Sequence, residues 1–270
     1  MLLDDDKQKY PILISLHKSG STWVNSFIHK RYRRIGLTTP PRNLYTEFFC
    51  SSRRVLKDKT FVQRTDKERI ALLEHLRTFG LELNHKAHVS DIINIWPWFK
   101  EFYKDYDILV LKRRNIFSHW INILFFSCIT EATNGVSEIE GIGIIPSKIR
   151  PTTFDGKVHG IDEDILKSTI LEYKIQFKFD EDLFRDFVLD IRFLNDVVIK
   201  ELDKPQVIWT EDINHAWLEK RFHVKVNNTV QPFKTLDFTT YFKPEDMAII
   251  KEKFKERFDN EFQFFGYEYK

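Results

Sequence analysis

A chain of 270 residues with 42 basic and 40 acidic side chains has a formal net charge of +2, a balance that excludes a general nucleic-acid-binding surface while leaving room for local basic clusters. Hydrophobic residues make up 42% and the 25 phenylalanines lift the aromatic share to 15%, enough apolar material for the core of one large α/β domain over residues 1–270. The two cysteines, Cys50 and Cys128, are far apart and lack metal-ligand spacing, which excludes a disulfide framework and points to a reducing compartment.

The opening MLLDDDKQK is acidic and lacks the apolar core of a signal peptide. No run approaches the roughly 18 apolar residues of a membrane helix, so a soluble, cytoplasmic protein is expected. Ile12, Leu13, Ile14 and Leu16 then form an apolar run that reads as a buried parallel strand. It stops at His17-Lys18-Ser19-Gly20, and a helical pattern opens at Ser21 or Thr22 with Trp23, Val24, Phe27 and Ile28 on one face. Strand, short Ser/Gly loop and helix start together make an anion cradle. The unsatisfied N–H groups of a first helical turn point at a ligand, the helix dipole favours negative charge, and Gly20 lets the backbone come close. Lys18 adds a mobile charge, and the hydroxyls of Ser19, Ser21 and Thr22 add donors.

Beyond the first helix, Lys30-Arg-Tyr-Arg-Arg34 and Thr39-Pro-Pro-Arg42 mark a basic turn and a loop, and residues 43–64 take no firm assignment. Thr65-Asp-Lys-Glu68 is a capping-box pattern opening an amphipathic helix with Ile70, Leu72, Leu73, Leu76 and Phe79, closed by Gly80. Residues 81–89 alternate as a short strand that puts Lys86 and His88 on one face and His85 on the other. Residues 91–106 read as helix interrupted near Pro97, with Trp96, Trp98, Phe99 and Phe102 as core or cleft wall. Asp107-Ile-Leu-Val-Leu-Lys112 is a second strong strand with Arg113 and Arg114 at its end, followed by an apolar helix from about Asn115 to Ile129. Residues 130–160 are a long loop or lid, expected to shape an acceptor site. A helical region from Asp162 to about Leu202 breaks around Phe179–Asp182, Gln206–Thr210 is another strand, Asn214–Phe222 a helix, and Pro244 opens the last helix. Strands alternating with helices predict a single three-layer α/β domain, with a central parallel sheet flanked by helices and its site at the carboxyl ends of the strands.

The nucleoside-triphosphatase loop G-x-x-x-x-G-K-[ST] has glycines before its lysine, whereas here Lys18 precedes Gly20 and no glycine stands in the nineteen residues before it. Lys18-Ser-Gly-Ser-Thr-Trp23 instead resembles the K-S-G-[ST]-T-W loop of P-loop sulfotransferases that use 3′-phosphoadenosine 5′-phosphosulfate (PAPS). Three further segments in the same order support the resemblance. Lys86-Ala-His-Val89 is similar to the K-[TS]-H-[LVF] of the cytosolic enzymes, which implies that His88 is the general base, with Lys86 assisting. Arg114-Asn115 resembles the strand-R-[ND]-P segment for the 3′-phosphate, although Ile116 replaces the proline and Asn122 the serine eight positions on; Ser118 is an alternative donor. Trp209-Thr-Glu-Asp-Ile213 resembles the [YF]-E-[DN]-[LM] segment near the adenine, with Thr210 where an aromatic is usual and Trp209 one position early, available for stacking or for burial in the sheet.

The tail lacks the R-K-G loop of the animal cytosolic enzymes. It is closer to the ending of Golgi-type and bacterial sulfotransferases, and Lys234 is the candidate for the missing charge. The resemblance implies transfer of a sulfuryl group from PAPS to the hydroxyl or amine of a small-molecule or glycan acceptor. The donor would sit on Lys18, Ser19, Gly20, Ser21, Thr22, Trp23, Arg114, Asn122, Trp209, Thr210 and Lys234, with no metal, nucleic acid or membrane involved. The rival readings are a P-loop kinase or nucleotide phosphotransferase, which calls for Mg²⁺ ligands and glycines ahead of Lys18, and a catalytically silent nucleotide-binding protein.

Overall fold

A computed structural model describes residues 10–34, 54–55, 61–62, 65–78, 86–132, 163–225 and 237–270. The expected lid over 130–160, from residue 133 onward, lies outside them, as do residues 81–85, Phe79, Gly80 and Lys234. The chain clusters into two compact units, one of residues Met1–Lys112 with Asp190–Lys225, the other of Arg113–Leu189 with Val226–Lys270.

The first unit is α/β. Its strands β1 (Pro11–Ser15), β4 (Lys86–His88), β5 (Asp107–Lys112) and β6 (Gln206–Trp209) form one parallel sheet in the order β4-β1-β5-β6. Two short strands, β2 (Arg54–Val55) and β3 (Phe61–Val62), pair antiparallel apart from it. Ile12, Leu13 and Ile14 are wholly buried, as expected for a central parallel strand covered on both faces, where alternation gives way to a continuous apolar run. From β1 the chain moves outward to β4, then crosses back to lay β5 on the other flank of β1. Order therefore reverses between β1 and β5, and in open parallel sheets the crevice at the carboxyl ends of such a strand pair is the usual ligand site.

Helices of this unit follow local signals. α1 (Ser21–Arg34) leaves the end of β1 and buries Trp23, Val24, Phe27 and Ile28. α2 (Asp66–Thr78) starts on the capping box, Thr65 N–H donating to Glu68 Oε2 at 2.8 Å and Glu68 N–H to Thr65 Oγ1 at 3.3 Å. α3 (Val89–Ile92) and α4 (Trp96–Phe102) are separated by a 3-10 turn, with Pro97 in the first turn of α4, where its missing N–H costs nothing. Trp96 and Phe99 are core, their rings stacked 5.8 Å apart. α9 (His215–Phe222) is capped by Asn214, whose Oδ1 accepts from Trp217 N–H at 2.9 Å.

The second unit is helical and aromatic. α5 (Ile116–Ala132), α6 (Glu163–Glu172), α7 (Glu181–Arg192) up to Leu189 and α10 (Pro244–Asn260) bury Phe117, Trp120, Phe125, Phe184, Phe187 and Phe254. Trp120, at 0% exposure, lies 4.9 Å from Phe184 and 5.3 Å from Phe187 between ring centroids. Helix α6 ends earlier than the sequence break, at Glu172, and Lys174 turns the chain with a left-handed φ of 51°. The helix from Glu181 also carries on through α7 into a six-residue π segment, Phe193–Val198, before α8 (Ile199–Glu201). None of the helices among the described residues is long and apolar enough to cross a membrane.

Candidate functional site

The site of the first unit is built on the end of β1. Past Ser15 the chain turns at His17-Lys18-Ser19-Gly20 and enters α1 at Ser21. Two residues of this turn are left-handed, Lys18 at φ 60° and Gly20 at φ 86°. Glycine takes that conformation without penalty; a lysine held there stores about 1 kcal/mol and needs outside restraint. The restraint is visible. The Ser19 hydroxyl, buried, donates to the Leu16 carbonyl at 2.7 Å, and Gly20 O accepts the first helical bond from Trp23 N–H at 3.1 Å. A turn of alternating handedness running into a helix N-terminus gathers N–H groups for an anion, and the exposed Lys18 side chain places a cation at its rim.

Two neighbouring strands bring further groups to the same end of the sheet. On β4, Leu13↔Lys86 and Ser15↔His88 pairing puts Lys86 and His88 on one face, as the alternation predicts, and both are buried. His88 Nδ1 shares a 3.4 Å hydrogen bond with Ser15 Oγ. The ring of His17 stacks on that of His88 at 3.9 Å, and His17 Nε2 is held by Ser90 Oγ at 3.0 Å. Burial pushes the His88 pKa well below 6.5, and the positive neighbours His17, Lys86 and Lys18 push the same way against the hydrogen bonding of Ser15. His88 is therefore a neutral imidazole at pH 7.

On β5 the last residue is Lys112. Its register partner on β6 is Trp209, and since paired residues share a face, the ammonium lies over the indole ring, 4.4 Å from the centroid. Lys112 Nζ donates to Asn195 Oδ1 at 2.8 Å, and Asn195 stands in the π segment, its Nδ2 donating to Ile191 O at 2.7 Å. Burial lowers the Lys112 pKa from 10.5 to about 8. Sequence reading passed over Lys112, because a lysine that closes an apolar strand reads as a charge reaching solvent. The signal in the sequence is a lysine one position short of Arg113-Arg114, still in register with the strand.

Thr210 follows β6, and its hydroxyl is shared between two backbone carbonyls, Ser19 O at 2.6 Å and Lys112 O at 3.0 Å. Its methyl lies where a side chain at Gly20 would begin: a Cβ there would meet Thr210 Cγ2 at 3.0 Å. Of the other sequence candidates in this unit, Ser21 and Trp23 are buried in the first turn of α1, which also contains Thr22.

Arg114, Asn115, Ser118 and Asn122 belong to the second unit. Asn115 caps α5, its Oδ1 accepting from Ser118 N–H at 2.9 Å. The tail joins here, Glu268 N–H donating to Arg114 O at 2.9 Å and Ile116 N–H to Glu268 O at 3.0 Å. The Arg114 guanidinium, one-third exposed, lies 3.8 Å from the Glu268 carboxylate, a loose pairing worth little in water. Ser118, the alternative donor, accepts instead from Arg113 at 2.9 Å, and Asn122 is buried one turn further along α5. No family model matches the chain, no curated protein matches it, and no solved structure matches it.

Proposed function

We propose that the chain is a PAPS-dependent sulfotransferase of the P-loop type, moving a sulfuryl group to an acceptor hydroxyl or amine. The observation that carries the reading is the turn His17–Gly20. It holds two left-handed residues, opens a helix N-terminus and sits at the strand-order reversal between β1 and β5. A donor's 5′-phosphosulfate fits that cradle in charge and chemistry: backbone N–H groups of a helix start and the exposed Lys18 ammonium.

In this reading the neutral imidazole of His88 takes the proton of the acceptor. A new sulfur–oxygen or sulfur–nitrogen bond forms as the sulfur–oxygen bond to the 5′-phosphate breaks, and 3′-phosphoadenosine 5′-phosphate (PAP) leaves. Lys18 and the loop amides stabilise the charge that gathers on the phosphate oxygen, and Lys86 assists beside His88. The resemblance assigns the 3′-phosphate to Arg114 and Asn122 and the adenine to Trp209. A kinase would use a carboxylate to hold Mg²⁺ at this end of the sheet; the strands flanking β1 end here on His88 and Lys112.

The test is calorimetric titration with PAP, ADP and Mg·ATP on wild type and Arg114→Ala. Micromolar binding of PAP that Arg114→Ala loses supports the donor site. Preference for Mg·ATP overturns it in favour of a phosphotransferase. Retention of PAP binding with no turnover of any acceptor, in wild type and His88→Ala alike, identifies a silent binding protein.

A further inference from the structure

We infer that Thr210 is the positioning residue of the anion loop, a hydroxyl clamp that holds the Ser19–Gly20 turn in its ligand-ready shape from the far side of β5. The inference rests on the anion-loop reading above and gives Thr210 a role different from contact with the adenine.

Three observations converge on it. The Thr210 hydroxyl has one proton and two carbonyls within reach, Ser19 O at 2.6 Å and Lys112 O at 3.0 Å, so it is committed to backbone on both sides. Its methyl fills the space beside Gly20 that any larger residue would occupy, with Cγ2 at 3.0 Å from an added Cβ. The turn it grips includes a lysine at φ 60°, a conformation that relaxes unless neighbours hold it. Rotation of the Ser19–Gly20 peptide would swing its N–H away from the cradle, and the bond from Thr210 to Ser19 O opposes that rotation.

The clamp is itself anchored. Trp209, the preceding residue, is pinned beneath the Lys112 ammonium, which Asn195 holds from the π segment. π segments recur at functional sites, and Asn195 stands within this one, its side chain bonded to Lys112 Nζ and to Ile191 O. The order Asn195, Lys112, Trp209, Thr210, Ser19 is thus an unbroken set of contacts within the first unit.

Titration of PAP and of inorganic pyrophosphate, an adenine-free probe, into wild type, Thr210→Val and Thr210→Ser separates the roles. The expected result is that Thr210→Val weakens both ligands alike, by about tenfold, while Thr210→Ser stays within about threefold of wild type because the hydroxyl is kept. A loss confined to PAP would assign Thr210 to the base and overturn the clamp. So would wild-type affinity in Thr210→Val, or a Thr210→Ser as weak as the valine variant. Failure of wild type to bind either probe overturns the loop reading itself, and the clamp with it.

Discussion

The rings of His17 and His88 stack with centroids 3.9 Å apart and planes inclined by 27°, bringing two bases into contact at the mouth of the candidate anion loop. Both cannot hold a proton at low cost, and His88 is the one that is buried. Its pKa falls well below 6.5, first from burial and then from repulsion by His17, Lys86 and Lys18. In the unfolded chain the same group titrates near 6.5, so between the two values the unfolded state holds more protons. Stability therefore drops as pH falls below 6.5. A bound phosphosulfate or phosphate would offset the positive neighbours and raise the His88 pKa, so anion affinity should increase toward acid pH. NMR titration of the His88 ring, free and with PAP, checks both signs. A midpoint at or above 6.5 in the free protein contradicts them.

Gly20 is the loop position that tolerates no side chain. Alanine there meets a left-handed φ of 86° and a methyl contact at 3.0 Å with Thr210. The combined cost is about 1–2 kcal/mol if the loop keeps its shape. Either the turn pays that cost or it abandons the geometry, so Gly20→Ala should lower Tm by several degrees and weaken PAP at least tenfold. Unchanged affinity, measured by calorimetry on the folded variant, would show that the cradle is not the ligand site.

Much of this loop was legible in the sequence because its signals are local. An apolar run, a Ser/Gly break and a new apolar period announce β1, the turn and α1 within fourteen residues, Tyr10 to Trp23. The common face of Lys86 and His88 follows from strand alternation alone, and the Thr65–Glu68 capping box from side-chain reach. What stayed hidden depends on partners distant in sequence. Thr210 reaches Ser19 across 191 positions, and Lys112 meets Asn195 across 83. No local pattern distinguishes a threonine that contacts a base from one that ties two carbonyls. The π segment is equally opaque, since Phe193–Val198 reads as ordinary helix until Asn195 is seen turned toward Lys112.

Lys18 sets stability against function. Its φ of 60° is strained for a lysine and free of strain for a glycine. Lys18→Gly should then leave stability unchanged or raise it by up to about 1 kcal/mol, since relief of strain is partly cancelled by the greater freedom of glycine in the unfolded chain. The same change removes the cation at the rim of the cradle and should weaken PAP about tenfold or more. Chemical denaturation and calorimetry on one preparation give both numbers. A variant that is less stable and binds equally well would mean that Lys18 serves the fold alone.

Lys112 has the opposite pH signature to His88 in range and the same one in sign. Its folded pKa of about 8 lies below the ordinary lysine value of 10.5, so between these values the unfolded chain is protonated and the folded chain is not. Stability from this residue therefore rises as pH climbs from 7 to 10, by roughly 2 kcal/mol for a shift of this size. Lys112→Met keeps the length of the side chain and abolishes the titration. The stability difference between wild type and Lys112→Met should move in favour of the wild type by that amount over the interval, while other titrating groups cancel between the two proteins. Denaturant midpoints at pH 7, 8.5 and 10 would reveal it. A difference that does not change with pH would mean that Lys112 keeps its charge beneath Trp209 throughout, with cation–π attraction and the Asn195 bond outweighing its burial.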